Sequence, residues 1–452
     1  MVLRKNLLRN IFLAVIAICV SFNASNTNIL VQLSSIYFIF FFFLCLKNNE
    51  VSQNIKENYS NNKVFFILLF IYLIYLIIQI IPLPLIFFKI ISPLNYELYS
   101  SIRIDKNFWS LSLNPSNSYF KILNVINFFI IFLIFPALFY RSKHLMRLLF
   151  FLCLLGFCHA VFATYWMLIG NPSNFLIEKI HYLNSSTGLF VNRAVFATFL
   201  LLCAFSGLYY MTLFFQKNKI TSMDIFEQIK SNIIYLRIFI IFITIGILTT
   251  WSRIANFSYI LILLSFLMYS KISFKKFINP LSTIILFILF FDFLILGIFF
   301  GNEKLLERYI QTSVISETIR INIQEFALLQ FKNFWLFGYG SGAFETAYKI
   351  FYDAPQGREI ALHAHNDWIE LLGEIGAIGS FIFLLILITY FKKIKQNINQ
   401  SREFLRFFFI ISLLTIIFVQ SFFDYSLHIP GISILIVVIL SIGLVDFKNK
   451  NT

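Results

Sequence analysis

Charge is what this sequence has least of. Only 13% of its 452 residues are Asp, Glu, Lys or Arg, against 59% hydrophobic, and the mean hydropathy is +0.82. Water-soluble domains run near half apolar and a quarter charged, so a purely soluble chain of this length is excluded. Cysteine is scarce as well. The five thiols, Cys19, Cys45, Cys153, Cys158 and Cys203, lie in apolar stretches without paired ligand spacing. That excludes a zinc-ribbon framework and makes them packing residues. No G-x-x-x-x-G-K-[ST] loop occurs, which removes the phosphate cradle of nucleotide hydrolases. Internal repeats and matched broken halves are missing too, which weakens a transporter reading.

What is abundant is apolar sequence in runs of about 17 to 22 residues, long enough to cross roughly 30 Å of hydrocarbon. Twelve such runs fall near 8–22, 28–46, 64–82, 121–139, 146–168, 195–214, 236–250, 254–270, 281–300, 375–391, 405–421 and 431–446. The pattern predicts an all-α integral membrane protein, residues 1–452 forming one polytopic domain. The first run reads as an uncleaved span, since no A-x-A site follows it. A net charge of +15 reflects cytoplasmic loops, not a nucleic-acid partner, because no basic stretch is interleaved with exposed aromatics. With the N-terminus in the cytoplasm, the inner segments hold about 23 of the 36 Lys and Arg, including Lys392, Lys393 and Lys395. The short outer loops then carry only Lys179, Arg193 and Arg253. The longest polar segment, 301–366 between the ninth and tenth spans, is thereby expected to face away from the cytoplasm and from nucleotide sugars.

That segment combines an amphipathic stretch near 313–331 with a glycine turn, Phe337-Gly338-Tyr339-Gly340-Ser341-Gly342. It ends in His363-Ala364-His365-Asn366-Asp367-Trp368, followed by Glu370, Glu374, Gly376 and Gly379. One reading is an interfacial anchor with Trp368 in the aromatic belt. The spacing favours a cleft: Asp367, Glu370 and Glu374 share one helix face. Gly373, Gly376 and Gly379 would let another backbone come close, and carboxylates there need a wet cavity or a cation. His-x-His with Asp367 invites a metal, but the three lie too near in sequence to define a geometry, and no metal or other cofactor is assigned. Arg193, Arg253 and Arg320 map to the same outer face and could neutralise a diphosphate bidentately. Asp292 sits mid-span and is left unassigned.

These residues resemble the O-antigen ligase and O-antigen polymerase superfamily of bacterial membrane glycosyltransferases. The family motif is His followed by Asn, Ser or Gln, then nine residues and Gly-x-x-Gly; here it is His365-Asn366, 367–375, Gly376 and Gly379. Weaker likenesses keep the family order: the Gly188–Ala197 stretch, Ser252-Arg253, Arg320 before the glycine turn, and Ser421, Asp424, His428 and Pro430. Ile254 and Ala194 depart from it, standing where many members have Gly and Asn. The resemblance implies a metal-independent, inverting enzyme of the inner membrane. Its donor would be an undecaprenyl-diphosphate-linked glycan and its acceptor a hydroxyl of lipid A-core, of a growing glycan or of a protein, with ligation to lipid A-core preferred. His365 would be the base, and Arg253, Arg320 and Arg193 would hold the diphosphate. Asn366, Asp367, Glu370, Glu374, Gly376 and Gly379 would support them. The competing class is a transporter of lipid-linked sugars, which predicts charged groups inside the spans.

Overall fold

A computed structural model describes residues 4–22, 24, 26–102, 107–173, 179, 181–218, 233–274, 279–295, 314–352, 361–396 and 401–446. Among them the regular structure is helical, save one two-residue antiparallel pair that matches Leu83 with Trp109 and Pro84 with Phe108. Each apolar run coincides with a helix: Lys5–Ser21, Asn28–Leu46, Lys63–Ile80, Pro115–Phe139, Ser142–Leu168, Arg193–Lys217, Ile233–Thr249, Arg253–Phe274, Pro280–Ile295, Asp367–Lys395, Ser401–Gln420 and Pro430–Leu440. Seven of these are long and apolar enough to cross a membrane: those starting at Asn28, Lys63, Pro115, Ser142, Arg193, Arg253 and Asp367. Among the described residues the apolar stretches of the other five are shorter. Most of the predicted outer segment is described, but 301–313 and 353–360, and the side chain of Asp292, lie outside the described residues.

The helices start where short polar side chains take up the first free N–H groups. Asn114 accepts from Asn117 N–H with Pro115 at the first helical position, and Asn192 accepts from the amides of Ala194 and Val195. Arg193–Lys217 and Pro115–Phe139 form the centre and are buried along most of their length. Close approach there depends on small residues. A Cβ on Gly156 would overlap Cys203, and one on Gly207 would press on Cys153, so these two thiols are packing atoms between helices. Around the centre, the Asn28–Leu46 and Lys63–Ile80 helices turn Ile29, Ile36, Phe40, Val64, Phe70 and Ile74 outward. A helix apolar on all sides with an apolar exterior is what a lipid solvent selects.

One end of the bundle carries a polar cap. Leu85–Ile91 and Pro93–Ser101 pack on the short strand pair around Phe88, Tyr99 and Leu111. Val314–Asn333 and Phe344–Phe351 form a second small core around Phe326, Phe334, Tyr339 and Tyr348. This second core rests on the Asp367–Lys395 helix and fixes the geometry described next.

Candidate active site

The Asp367–Lys395 helix is broken at Gly376, where φ is 60° and ψ is −170°. A break inside a membrane-facing helix frees backbone groups that must find partners. The glycine turn supplies them. Tyr339 N–H donates to Gly373 O at 3.0 Å and Gly340 N–H to Glu374 O at 3.1 Å. In return, Ala377 N–H donates to Trp335 O at 2.7 Å and Ile378 N–H to Leu336 O at 3.2 Å. Gln79, fully buried, donates to Phe337 O and Glu374 O while its own carbonyl accepts Ser341 N–H. Tyr75 donates to Phe337 O and Ile375 O. Backbones approach this closely only because Gly338, with φ 75°, faces Gly376; a Cβ on either would overlap the other's strand of chain. The every-third glycines thus admit a turn at Gly376, the Tyr339 ring at Gly373 and the Tyr75 ring at Gly379.

Before the break, Asp367, Glu370 and Glu374 all face His428, each 1% exposed. Asn366 caps the helix by accepting from the amides of Trp368 and Ile369. Opposite stands the connection after Ser401–Gln420. Asp367 N–H donates to Ser421 O at 2.8 Å, and the Asp367 carboxylate accepts Leu427 N–H and contacts His428 Nδ1 at 2.6 Å. His428 Nε2 then lies 3.4 Å from Glu370 Oε1 and 3.7 Å from Glu374 Oε2. His363 Nδ1 is 2.8 Å from Glu370 Oε1, and Glu370 Oε2 accepts Ala364 N–H. Burial pulls the His428 imidazole down, but the Glu370 charge and the bond to Asp367 outweigh it and push it up to about 10. Burial first, with the Asp367 charge beside it, raises Asp424 to about 6.

His365 precedes the cap with φ 52°, a left-handed conformation that side chains seldom take. Its ring is partly exposed and meets the edge of Tyr425, centroids 5.2 Å apart, while His363 stacks on that ring at 4.4 Å. Burial first, then the Arg320 charge, hold His365 down at about 4, below the ordinary histidine range. The helix N-terminus acts in the same direction.

Arg320 lies exposed on the Val314–Asn333 helix, near enough for its charge to act on His365 and Asp424. Arg193 sits over the Tyr182 ring, 5.1 Å from its centroid, and the neighbouring Asn192 donates to Tyr425 Oη at 2.6 Å. Arg253, exposed, opens its helix just after Trp251, whose indole donates to Asn184 O; nearby, Ser186 N–H donates to Thr249 O. One loop, 181–192, therefore joins the start of the Arg253 helix to Tyr425 and the histidine pair. Trp368 donates to Phe418 O.

Tyr425 escaped the sequence reading, His363 entered it only through the His-x-His metal idea, and Asp424 and His428 only as part of a family likeness. Asp424, Tyr425 and His428 stand far from the His365 motif in sequence, and only the fold makes them neighbours. A signal existed in the polar run Ser421 to Pro430 between two apolar helices. The metal idea also changes partners: His363, Glu370 and His428, not His365 and Asp367, have ligand atoms within 4.8 Å of one another.

An all-helical chain with membrane-length spans and a capped cluster of imidazoles, carboxylates and arginines defines a polytopic membrane protein with a candidate catalytic end. The family model for O-antigen ligase matches residues 238–384, about a third of the chain, and supports the superfamily its motifs resemble. The matched segment contains Arg253, Arg320, the glycine turn, His365 and both motif glycines, but neither Arg193 nor His428. No curated protein matches the chain. The family implies glycosyl transfer of the O-antigen ligase or polymerase type and lipid-linked glycan substrates in general.

Proposed function

We propose that the chain transfers a glycan from an undecaprenyl-diphosphate-linked donor to an acceptor hydroxyl at the periplasmic face of the bacterial inner membrane, with ligation to lipid A-core the preferred reaction. All twelve apolar helices would cross the bilayer, leaving 301–366 as a periplasmic loop of a single domain. The observation that carries this reading is His365: a partly exposed imidazole in a rare backbone conformation, beside the start of a broken helix, under the charge of Arg320. Unusual backbone held by dense surrounding hydrogen bonds is characteristic of functional sites.

In the proposed reaction His365 accepts the proton of the acceptor hydroxyl as its oxygen attacks the anomeric carbon. The bond from that carbon to the diphosphate breaks on the opposite side, the configuration inverts, and undecaprenyl diphosphate leaves as the anion. Arg320 and Arg253, with Arg193 behind them, neutralise the leaving charge without a metal at the reacting atoms. A bound diphosphate would offset the Arg320 charge and lift His365 toward its usual basicity, so the base would strengthen when donor arrives. Asn366, Asp367, Glu370 and Glu374 would hold the motif in place, and Gly376 and Gly379 allow the close packing.

The test is reconstitution of the purified chain in liposomes with undecaprenyl-diphosphate glycan and, in parallel, lipid A-core, a second lipid-linked glycan, and an acceptor protein. Glycan on lipid A-core supports ligation; longer lipid-linked chains or glycosylated protein reassign the acceptor. Transfer to none, with donor appearing across the membrane instead, overturns the enzyme reading in favour of transport.

A further inference from the structure

We propose that His363, Glu370 and His428, with Glu374 as a fourth ligand, bind a divalent transition-metal ion of the zinc type that pins the His365 turn to the rest of the cap. Three observations carry this. The donor atoms of His363, Glu370 and His428 already lie within 4.8 Å of one another. Ligand atoms around a tetrahedral zinc, at about 2.1 Å from the metal, stand roughly 3.4 Å apart. The His428 Nε2 to Glu370 Oε1 separation is 3.4 Å, and that to Glu374 Oε2 is 3.7 Å. The 2.8 Å contact of His363 with Glu370 would have to lengthen as the ligands close around the ion.

The second observation is orientation. His428 Nδ1 is engaged by the Asp367 carboxylate at 2.6 Å, which turns Nε2 toward the other carboxylates. A carboxylate behind a ligating imidazole is the usual outer support of a metal-bound histidine. The stack of His363 on Tyr425 fixes the second ring. The third is an unmet need. Glu374 is 1% exposed, and its Oε1 has no hydrogen-bond partner among the described residues. It lines a cavity of about 240 Å³ together with His363, Glu370, His428 and Lys121. A buried acceptor without a donor is costly unless a cation serves it. The hydrogen bonds of an imidazolium at His428 satisfy Asp367 but leave Glu374 Oε1 bare.

Four protein ligands close the coordination shell, so the ion ties together the 361–366 turn, the start of the Asp367–Lys395 helix and the 421–430 connection. It takes no part in the bond changes proposed for His365, and its test needs no glycan. The full chain, purified in detergent, is stripped with chelator and titrated with Zn2+ and Co2+. About one equivalent should bind per chain, with the visible absorption of tetrahedral Co2+ and a higher melting temperature. Glu370→Gln and His428→Ala should each weaken binding more than about tenfold. His363→Ala removes a partly exposed ring and leaves the Asp367–His428 pair intact, so it should stay monodisperse and melt like the stripped wild-type chain while losing tetrahedral Co2+. Glu345→Gln, on the cavity rim, should bind as wild type. Wild-type chain that takes up no stoichiometric metal overturns the proposal, as do ligand variants that bind as tightly as wild type.

Discussion

His365 occupies a left-handed backbone conformation at φ 52° while its ring touches Tyr425 and feels Arg320. Such strain, about 1 to 3 kcal/mol, persists only where neighbours enforce it. His365→Ala should therefore leave insertion and melting temperature essentially intact but lower the transfer rate by about 10²- to 10⁴-fold, the usual worth of a positioned base; a variant that retains full transfer excludes the base role. The pH dependence follows from the same environment. A base works only when unprotonated, and His365 held at about 4 is neutral across the physiological range. Rate per unit donor should thus fall only as pH drops toward 4, not around the ordinary histidine value of about 6.5. Removing the cation by Arg320→Gln should move this acid limb upward while also weakening donor binding. A divalent ion at His363 would depress His365 further, so the direction of the comparison holds with or without it. An acid limb that Arg320→Gln leaves in place would separate Arg320 from His365.

At the scale of elements, the break at Gly376 decides the site. Gly338→Ala would require a β-carbon where the Glu374 carbonyl stands, on a backbone at φ 75°. The turn would undock, so transfer should vanish and thermal stability should drop by more than about 2 kcal/mol; unchanged melting would refute the docking account. Gln79→Leu keeps the volume but leaves Phe337 O, Glu374 O and Ser341 N–H to find other partners, at about 1 to 3 kcal/mol for each buried group that fails to find one. Thermal melting in detergent reads this directly. Much of this level was legible beforehand. Apolar length marked all twelve helices because lipid-facing helices are apolar around their whole girth, a signal that survives without periodicity. The carboxylate spacing from Asp367 to Glu374 placed three groups on one face, where they are found. The break was not legible: glycines every third residue announce close approach, but whether a helix or a turn makes it depends on residues 335 to 342. Nor could spacing reveal that His428 completes the cluster, since some sixty residues and a whole helix intervene.

For the whole molecule the remaining question is orientation, and the distribution of cations argues it. A cavity of about 290 Å³ is lined by Arg4, Lys5, Arg9, Arg141, Lys143 and His144. These residues lie at the starts of Lys5–Ser21 and Ser142–Leu168, whereas the site lies toward the other ends of those helices, where Gly431 packs on Cys19 and Ala24. A basic end opposite an imidazole–carboxylate end is the asymmetry that insertion imposes, because cations are retained on the cytoplasmic side. The site should then open to the periplasm, where a lipid-linked diphosphate donor carries its own leaving group and no nucleotide is needed. Four of the native thiols are buried and Cys158, exposed, lies within an apolar helix, so a cysteine-free background with single reporters is practical. Leu362→Cys, beside the histidines and 60% exposed, should react in intact cells with a membrane-impermeant maleimide. Lys392→Cys, at the far end of the broken helix, should react only after permeabilisation. The reverse pattern would turn the candidate site toward the cytoplasm, where a periplasmic donor could not reach His365 at all.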